Sequence, residues 1–176
     1  MAKVRDLLRR VEAKLQDSFD TIDVLDWFNE CQNDLAEFLF LPTIAVITRN
    51  EEGKFILPDD YNGYLRTKYN TRLIGNEIII DDPTVNEIQI EYNRLAKQIT
   101  NNPELVPDIP TRFHYLYVNF ACKEAMMSDE EHERYALFKT EYLEGKLQFK
   151  KYMSYVKGEY LSNRPYGTAG AWKVIR

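Results

Sequence analysis

Residues 38–57 read FLFLPTIAVITRNEEGKFIL, and the hydrophobic period changes inside them. Up to Leu39, apolar residues recur every three or four positions, the spacing of one helix face. From Thr43 to Thr48 they are consecutive and β-branched, which favours a strand. Pro42 stands at the switch, where its ring and missing N–H stop a helix. RNEEG then supplies a turn, and Lys54 to Leu57 is expected to pair back on Thr43–Thr48 as a hairpin.

Toward the N-terminus, Val24, Leu25, Phe28, Cys31, Leu35, Phe38 and Leu39 make a broad apolar face over residues 21–40. Asp20 is the expected N-cap of that helix, with Asp23 in the first turn, where the helix dipole favours an anion. Val4, Leu7, Leu8, Val11 and Leu15 define an earlier helix over 3–16. The short link QDSFD makes the two an antiparallel pair.

Toward the C-terminus, LPDDYNG reads as an irregular connection and Tyr64–Ile74 as a strand. Gly75-Asn76 suits a two-residue hairpin turn, returning as Glu77–Asp81. DDPTVN turns again. Glu87–Leu95 then alternates, with Ile88, Ile90 and Tyr92 on one face and Gln89, Glu91 and Asn93 on the other. That makes about five strands within residues 43–95. Pro103, Pro107 and Pro110 mark the exit loop. A third helix is expected over 111–127, with a core stripe of Phe113, Leu116, Tyr117, Phe120, Ala121 and Ala125. The capping-box pattern Ser128-Asp129-Glu130-Glu131 starts a fourth over 129–156. Its Tyr135, Phe138, Tyr142, Gly145, Phe149, Tyr152 and Val156 form a heptad-like seam with one glycine. The expected fold is α+β, mainly α: a four-helix antiparallel bundle with a small antiparallel β insertion between helices 2 and 3. One domain would cover residues 1–157, followed by an extended C-terminal arm over 158–176.

Composition narrows the function. The chain has 176 residues, 44% apolar and 29% charged, with a net charge of −5. That is a globular composition, and no run of 18 apolar residues offers a membrane span. The charged N-terminus MAKVRDLLRR is unlike a signal peptide, which points to a soluble, intracellular protein without a membrane partner. Residues 157–176 carry Lys157, Arg164, Lys173 and Arg176 against Glu159, a net +3, so the rest carries −8. An acidic body is poorly suited to binding nucleic acid by counterion release.

Chemistry-bearing motifs are few. There is no glycine-rich phosphate loop, no G-x-S-x-G and no H-E-x-x-H. Cys31 and Cys122, the only cysteines, are too few for a disulfide scaffold or a zinc cage. His114 and His132 are the only histidines, and His132 sits in DEEHE, a charged first turn of a helix. Asp59-Asp60 and Asp81-Asp82 flank turns and lack the ligand ladder of a calcium loop. The reading is no enzyme, no catalytic residue, no metal and no cofactor.

Several strings resemble a known family. The opening helix followed by SFDTIDVLDWFNECQNDLAEFL resembles the first two helices of head-to-tail adaptor (connector) proteins of tailed bacteriophages. The matching positions are Asp20, Leu25, Trp27, Asn29, Glu30 and Cys31, the last standing where alanine is expected. FILPDDYNGYLR looks like the family's strand-then-LPDD connection at Leu57, Pro58, Asp59 and Asp60. DIPTRFHYLYVNFACKEA is similar to the entry to its third helix, at Ile109, Pro110, Phe113 and His114. The resemblance covers about residues 3–155 and its motifs are structural rather than catalytic.

It implies a structural virion protein that forms a ring of about twelve copies. The ring would dock on the portal protein, extend the DNA channel and join the head to the tail. Its implied partners are the portal, neighbouring copies of itself and a tail-side or stopper protein. DNA would pass through without specific binding, an acidic inner wall repelling it. The implied location is the neck of the virion, after assembly in the host cytoplasm. The alternatives are a monomeric protein-binding or regulatory helical module, and an enzyme whose site is assembled from scattered residues.

Two segments are candidate contact sites. The polar tips Glu51-Glu52-Gly53 and Gly75-Asn76 are expected to touch a neighbouring subunit or the tail-side partner. The arm after Gly158 is the expected portal-docking element, through Tyr160, Arg164, Tyr166, Trp172, Lys173, Val174, Ile175 and Arg176. Its glycines and Pro165 break helical periodicity, and some 18 residues span about 60 Å when extended. Trp172-Lys173-Val174-Ile175-Arg176 mixes apolar and basic residues in a strip suited to adding to a sheet edge. The other use of such a tail is to fold back over apolar surface of its own subunit.

Overall fold

A computed structural model of the chain describes residues 2–128 and 132–162. The chain divides into two compact units, Met1–Leu39 with Ala96–Lys157, and Phe40–Leu95 with the residues from Gly158.

The first unit is helical. In α1 (Val4–Leu15), Val4, Leu7, Val11 and Leu15 are buried. The Lys3 N–H donates to the Asp6 carboxylate at 2.9 Å, which holds the first turn. In α2 (Thr21–Leu35) the expected cap is present: Asp20 Oδ1 accepts from the Ile22 N–H at 2.8 Å. This helix stops at Leu35, short of residue 40, because the chain tightens into i to i+3 bonds from Phe38 to Leu35 and from Leu39 to Ala36.

A 3-10 turn at Thr111–Phe113 leads into α3 (Tyr115–Ser128). Leu116, Tyr117, Val118, Phe120, Ala121 and Cys122 are all buried, so the middle of this helix is enclosed, while Tyr115 and Met127 near its two ends are exposed. α4 (His132–Ser162) buries Phe138, Tyr142, Gly145, Phe149 and Met153. The expected aromatic seam is therefore largely right, with Met153 fully inside and Tyr152 only half-buried. α4 also continues past Val156 to Ser162.

Aromatic edges join these elements. Phe149 meets Phe113 at 5.2 Å and Tyr142 meets Phe120 at 5.1 Å, both edge to face. Polar ties surround them. Lys14 Nζ reaches Asn119 Oδ1 at 2.7 Å and Glu141 at 2.9 Å. Tyr142 and Lys146 both donate to Asp34 Oδ2, and Tyr117 Oη donates to Gln32 Oε1 at 3.0 Å.

Among its described residues the second unit carries six strands in two sheets. β1 (Pro42–Thr48), β3 (Tyr61–Thr67) and β6 (Glu87–Arg94) form one antiparallel sheet in the order β1-β6-β3. β2 (Phe55–Ile56), β4 (Arg72–Ile74) and β5 (Glu77–Ile79) form the other, in the order β2-β5-β4. Phe55, Leu57, Ile78, Val85, Ile88, Ile90 and Tyr92 make the buried core of this unit. Burial alternates along β6 only from Glu87 to Ile90, where Ile47 pairs with Ile88 and Ala45 with Ile90; Glu91 and Asn93, expected on the outer face, are buried as well.

The expected architecture is corrected here. The β segment is not a small insertion in a four-helix bundle: it is two three-stranded sheets with their own core. The hairpin expected between Thr43–Thr48 and Lys54–Leu57 does not form, since β1 pairs with β6 and β2 with β5. Long-range pairing wins because β1 and β6 offer seven matched positions with apolar residues in register, whereas β2 has two residues. Tyr64–Ile74 is not one strand either; it breaks between Thr67 and Arg72 so that each half joins a different sheet. The Gly75-Asn76 turn does join β4 to β5, with Gly75 at a φ of +59°.

Candidate functional site

The chemistry-bearing residues are dispersed. Cys31 is fully buried, and desolvation pushes its thiol well above the usual range. Burial likewise raises Cys122, to about 11. His114 is buried, with Nε2 donating to Ile109 O at 2.8 Å and Nδ1 without a partner. Desolvation lowers its pKa; the Ile109 bond opposes this and Arg10 adds to it. His132 is exposed. Asp60 accepts from Tyr92 Oη at 2.8 Å, Asp81 pairs with Arg72 at 2.9 Å, and Asp82 accepts from Thr84 inside its turn. Burial, then Asp60, raises the Tyr92 phenol to about 12. Among the described residues no group of three His, Cys, Asp or Glu could hold a metal ion. No helix there is long and apolar enough to cross a membrane. An open groove of about 400 Å³ is lined by Arg10, Ala13, Lys14, Tyr115, Val118 and Asn119, and Lys14 is already tied to Asn119 and Glu141.

The residues that carry the family resemblance hold joints of the fold. Asp20 caps α2, and Leu25 and Cys31 are buried. Trp27 meets Phe19 edge to face at 6.0 Å. Asn29 clamps Ile99 from both sides, donating to its carbonyl at 3.0 Å and accepting from its N–H at 2.8 Å. Gln32 donates to Lys97 O at 2.9 Å, so two α2 amides fix the start of the segment that leads to α3. Leu57, Ile109 and Phe113 are core residues, and Glu30 is exposed.

The candidate contact residues are placed as follows. Glu51, Glu52 and Gly53 are an exposed turn, held by Asn50 Oδ1, which accepts from the N–H groups of Glu52 and Lys54. Arg49 ties the turn down by donating to Gly53 O at 3.1 Å, Asp82 O at 2.8 Å and Val85 O at 2.5 Å. Gly75 and Asn76 are exposed at the β4–β5 turn. Tyr160, expected in an extended arm, is instead in the last turn of α4. Its hydroxyl donates to Glu91 and its ring lies 5.2 Å from Phe40. Arg164, Tyr166, Trp172, Lys173, Val174, Ile175 and Arg176 lie outside the described residues.

Two apolar surfaces were not singled out from the sequence. On α4, Ala136, Thr140, Leu143 and Leu147 form an exposed row opposite the aromatic seam, with Leu143 49% and Leu147 60% exposed. Leu137 and Tyr155 are exposed beside it. The leucine spacing of four was visible in the sequence, but the stronger aromatic seam claimed the helix. In the second unit, Ile44 and Val46 on β1 are 56% and 61% exposed. α2 adds an exposed acidic ridge of Asp23, Asp26 and Glu30, with no cation in that helix.

No family model and no curated protein matches this chain.

Proposed function

We propose that this chain is a structural subunit that assembles with copies of itself into a ring, docks on a phage portal and joins head to tail. The observation that carries this reading is the exposed Leu143–Leu147 row on α4, flanked by Leu137 and Tyr155. Apolar side chains in a continuous row on a helix face have no reason to stay in water, and mark a surface used for association. The family resemblance supplies the kind of assembly. The acidic ridge of α2 supports a body that repels passing DNA. The residues after Ser162, rich in glycine and cations, are the proposed portal-docking arm, with Trp172 as its anchor.

The test is direct. The purified chain, alone and mixed with portal rings from the same virus, is sized by light scattering and imaged by electron microscopy. A ring seated on the portal, lost when residues 163–176 are deleted and weakened by Trp172→Ala, is the expected result. A chain that stays monomeric with portal present sinks the adaptor reading and leaves the monomeric binding module.

A further inference from the structure

Among the described residues β1 is an outer strand, paired with β6 on one side only. The bonds that bracket this pairing, from Arg94 N–H to Leu41 O and from Arg49 N–H to Asn86 O, turn its odd-numbered residues toward β6. Antiparallel pairing alternates, so Pro42, Ile44, Val46 and Thr48 aim their backbone groups at the other edge. No backbone bond among the described residues reaches Ile44 or Val46 from that side. Their side chains are also turned to solvent, 56% and 61% exposed. Between Pro42 and Thr48 there is no charge to blunt the edge. Natural edge strands avoid this combination, because a row of donors and acceptors beside exposed β-branched residues templates another strand.

We infer that the strand it templates is β1 of a second copy of this chain, running antiparallel about a two-fold axis at Ala45. Backbone chemistry selects that register. Ile44 and Val46 exchange both of their bonds with Val46 and Ile44 of the partner subunit, and the Thr48 N–H donates to the carbonyl of Pro42 of the partner subunit. Pro42, with no N–H to give, falls at the outermost pair, where its missing donor leaves only a terminal carbonyl to water. Side chains agree with it. Ile44 and Val46 of the two copies become cross-strand neighbours on one face, so each exposed pair is covered by the other.

Charge favours a second copy at this place as well. With a net charge of −5, two copies repel each other overall, and an uncharged strand lets them meet with no like charges opposed. The adjoining cation, Arg49, is committed to the carbonyls of Gly53, Asp82 and Val85 within its own subunit. A two-fold pairing closes on itself and does not propagate, so it joins two three-stranded sheets into one and stops. One strand pair is a small interface, which makes this a weak, reversible dimer. The inference does not rest on the portal reading; it describes the chain without portal.

The test uses the full chain alone. Sedimentation equilibrium up to about 1 mM should show a reversible dimer. Val46→Lys should weaken it at least about ten-fold, whereas Leu147→Lys, on α4, should leave it unchanged. In NMR, protection of the Ile44 and Val46 N–H groups should rise with concentration, while Ala45 and Ile47, paired with β6, stay protected throughout. Mild oxidation should cross-link Ala45→Cys to itself, the native Cys31 and Cys122 being buried. Directly opposed residues that share no hydrogen bond stand about 4.5 Å apart at Cα, within disulfide reach. Ile44→Cys should cross-link at least about ten-fold more slowly, because its two copies are diagonal neighbours about 7–8 Å apart. A chain monomeric at about 1 mM, Ile44 and Val46 already protected in the monomer, or faster cross-linking of Ile44→Cys than of Ala45→Cys overturns the proposal. So does a dimer lost in Leu147→Lys and kept in Val46→Lys. Rings on the portal from a chain that is monomeric alone would leave the adaptor reading standing and this inference fallen. A dimer abolished by Val46→Lys in a chain that never seats on the portal would do the opposite.

Discussion

Gly145 on α4 faces Leu116 on α3 so closely that a Cβ at this position would stand 2.6 Å from Leu116 Cδ2. It would also lie 2.8 and 2.9 Å from Cε2 and Oη of Tyr115. Leu116 is completely buried and has nowhere to go, whereas Tyr115 is partly exposed and can swing. Overpacking of this kind costs about 1–3 kcal/mol, against up to about 1 kcal/mol gained by removing a glycine from a helix interior. Gly145→Ala should therefore lose about 1 kcal/mol in urea unfolding, and Gly145→Val more. A Gly145→Ala protein more stable than wild type would show that the two helices separate freely.

Phe149 is fully buried on Phe113, and Phe138 is 4% exposed beneath the Lys14 ammonium. Phe149→Ala and Phe138→Ala should each lower stability by about 3–5 kcal/mol. The loss should appear as a lower urea midpoint with an unchanged slope. Wild-type midpoints in both proteins would place the seam at the surface.

His114 gives the fold an acid sensitivity. Its pKa is depressed from 6.5 by burial, so it is neutral when folded and binds a proton when unfolded below about pH 6.5. The stability it contributes is present above that pH and lost as pH falls through the folded pKa. Nδ1 has no acceptor to receive a second N–H bond, which reinforces the direction. Wild type should weaken as pH falls below about 6.5, and His114→Gln should flatten that slope. Parallel slopes in the two proteins would assign the sensitivity elsewhere.

The Glu51-Glu52-Gly53 tip is fastened by Asn50 and Arg49, so the strands do not depend on its side chains. Replacing it with a minimal turn should leave the fold intact and weaken ring formation at least about ten-fold, a change of about 1.4 kcal/mol. Sedimentation of mixtures with portal measures this. Rings of normal yield would remove the tip from the list of contacts.

Local chemistry in the sequence foretold local structure. Asp20 as a cap, the Gly75 turn and the Phe138–Phe149 seam each depend on neighbours within a few residues, and each stands where the sequence places it. The alternation of β6, by contrast, ends at Ile90 because Glu91 and Asn93 are buried too. Pairing was less legible, because β1 must choose between a nearby two-residue strand and a distant matching one, and proximity favours the wrong answer. The end of α4 was missed because Gly158 reads as a breaker, yet it sits in open space on a helix whose Tyr160 is held by Glu91. Of the candidate contacts, the turns were readable from their glycines. The Leu143–Leu147 row was masked by a stronger pattern on the same helix, and the open edge of β1 follows only from knowing which strand lies beside it.

The helical unit is interrupted in the chain by Phe40–Leu95, the part of the second unit that carries both sheets, and this matters while the protein is being made. α1 and α2 leave the ribosome with their apolar faces formed, but α3, the helix they cover, begins only at Tyr115. Residues 36–114 intervene, a wait of about 4–16 s at about 5–20 residues per second. The β unit, continuous over Phe40–Leu95, can close its own core during that delay. Val11, Phe28 and Leu35 cannot, so the nascent chain carries them uncovered until the α3 segment emerges. Synthesis thus imposes an order, sheets first and helices last, with a seconds-long window in which a holdase has something to hold.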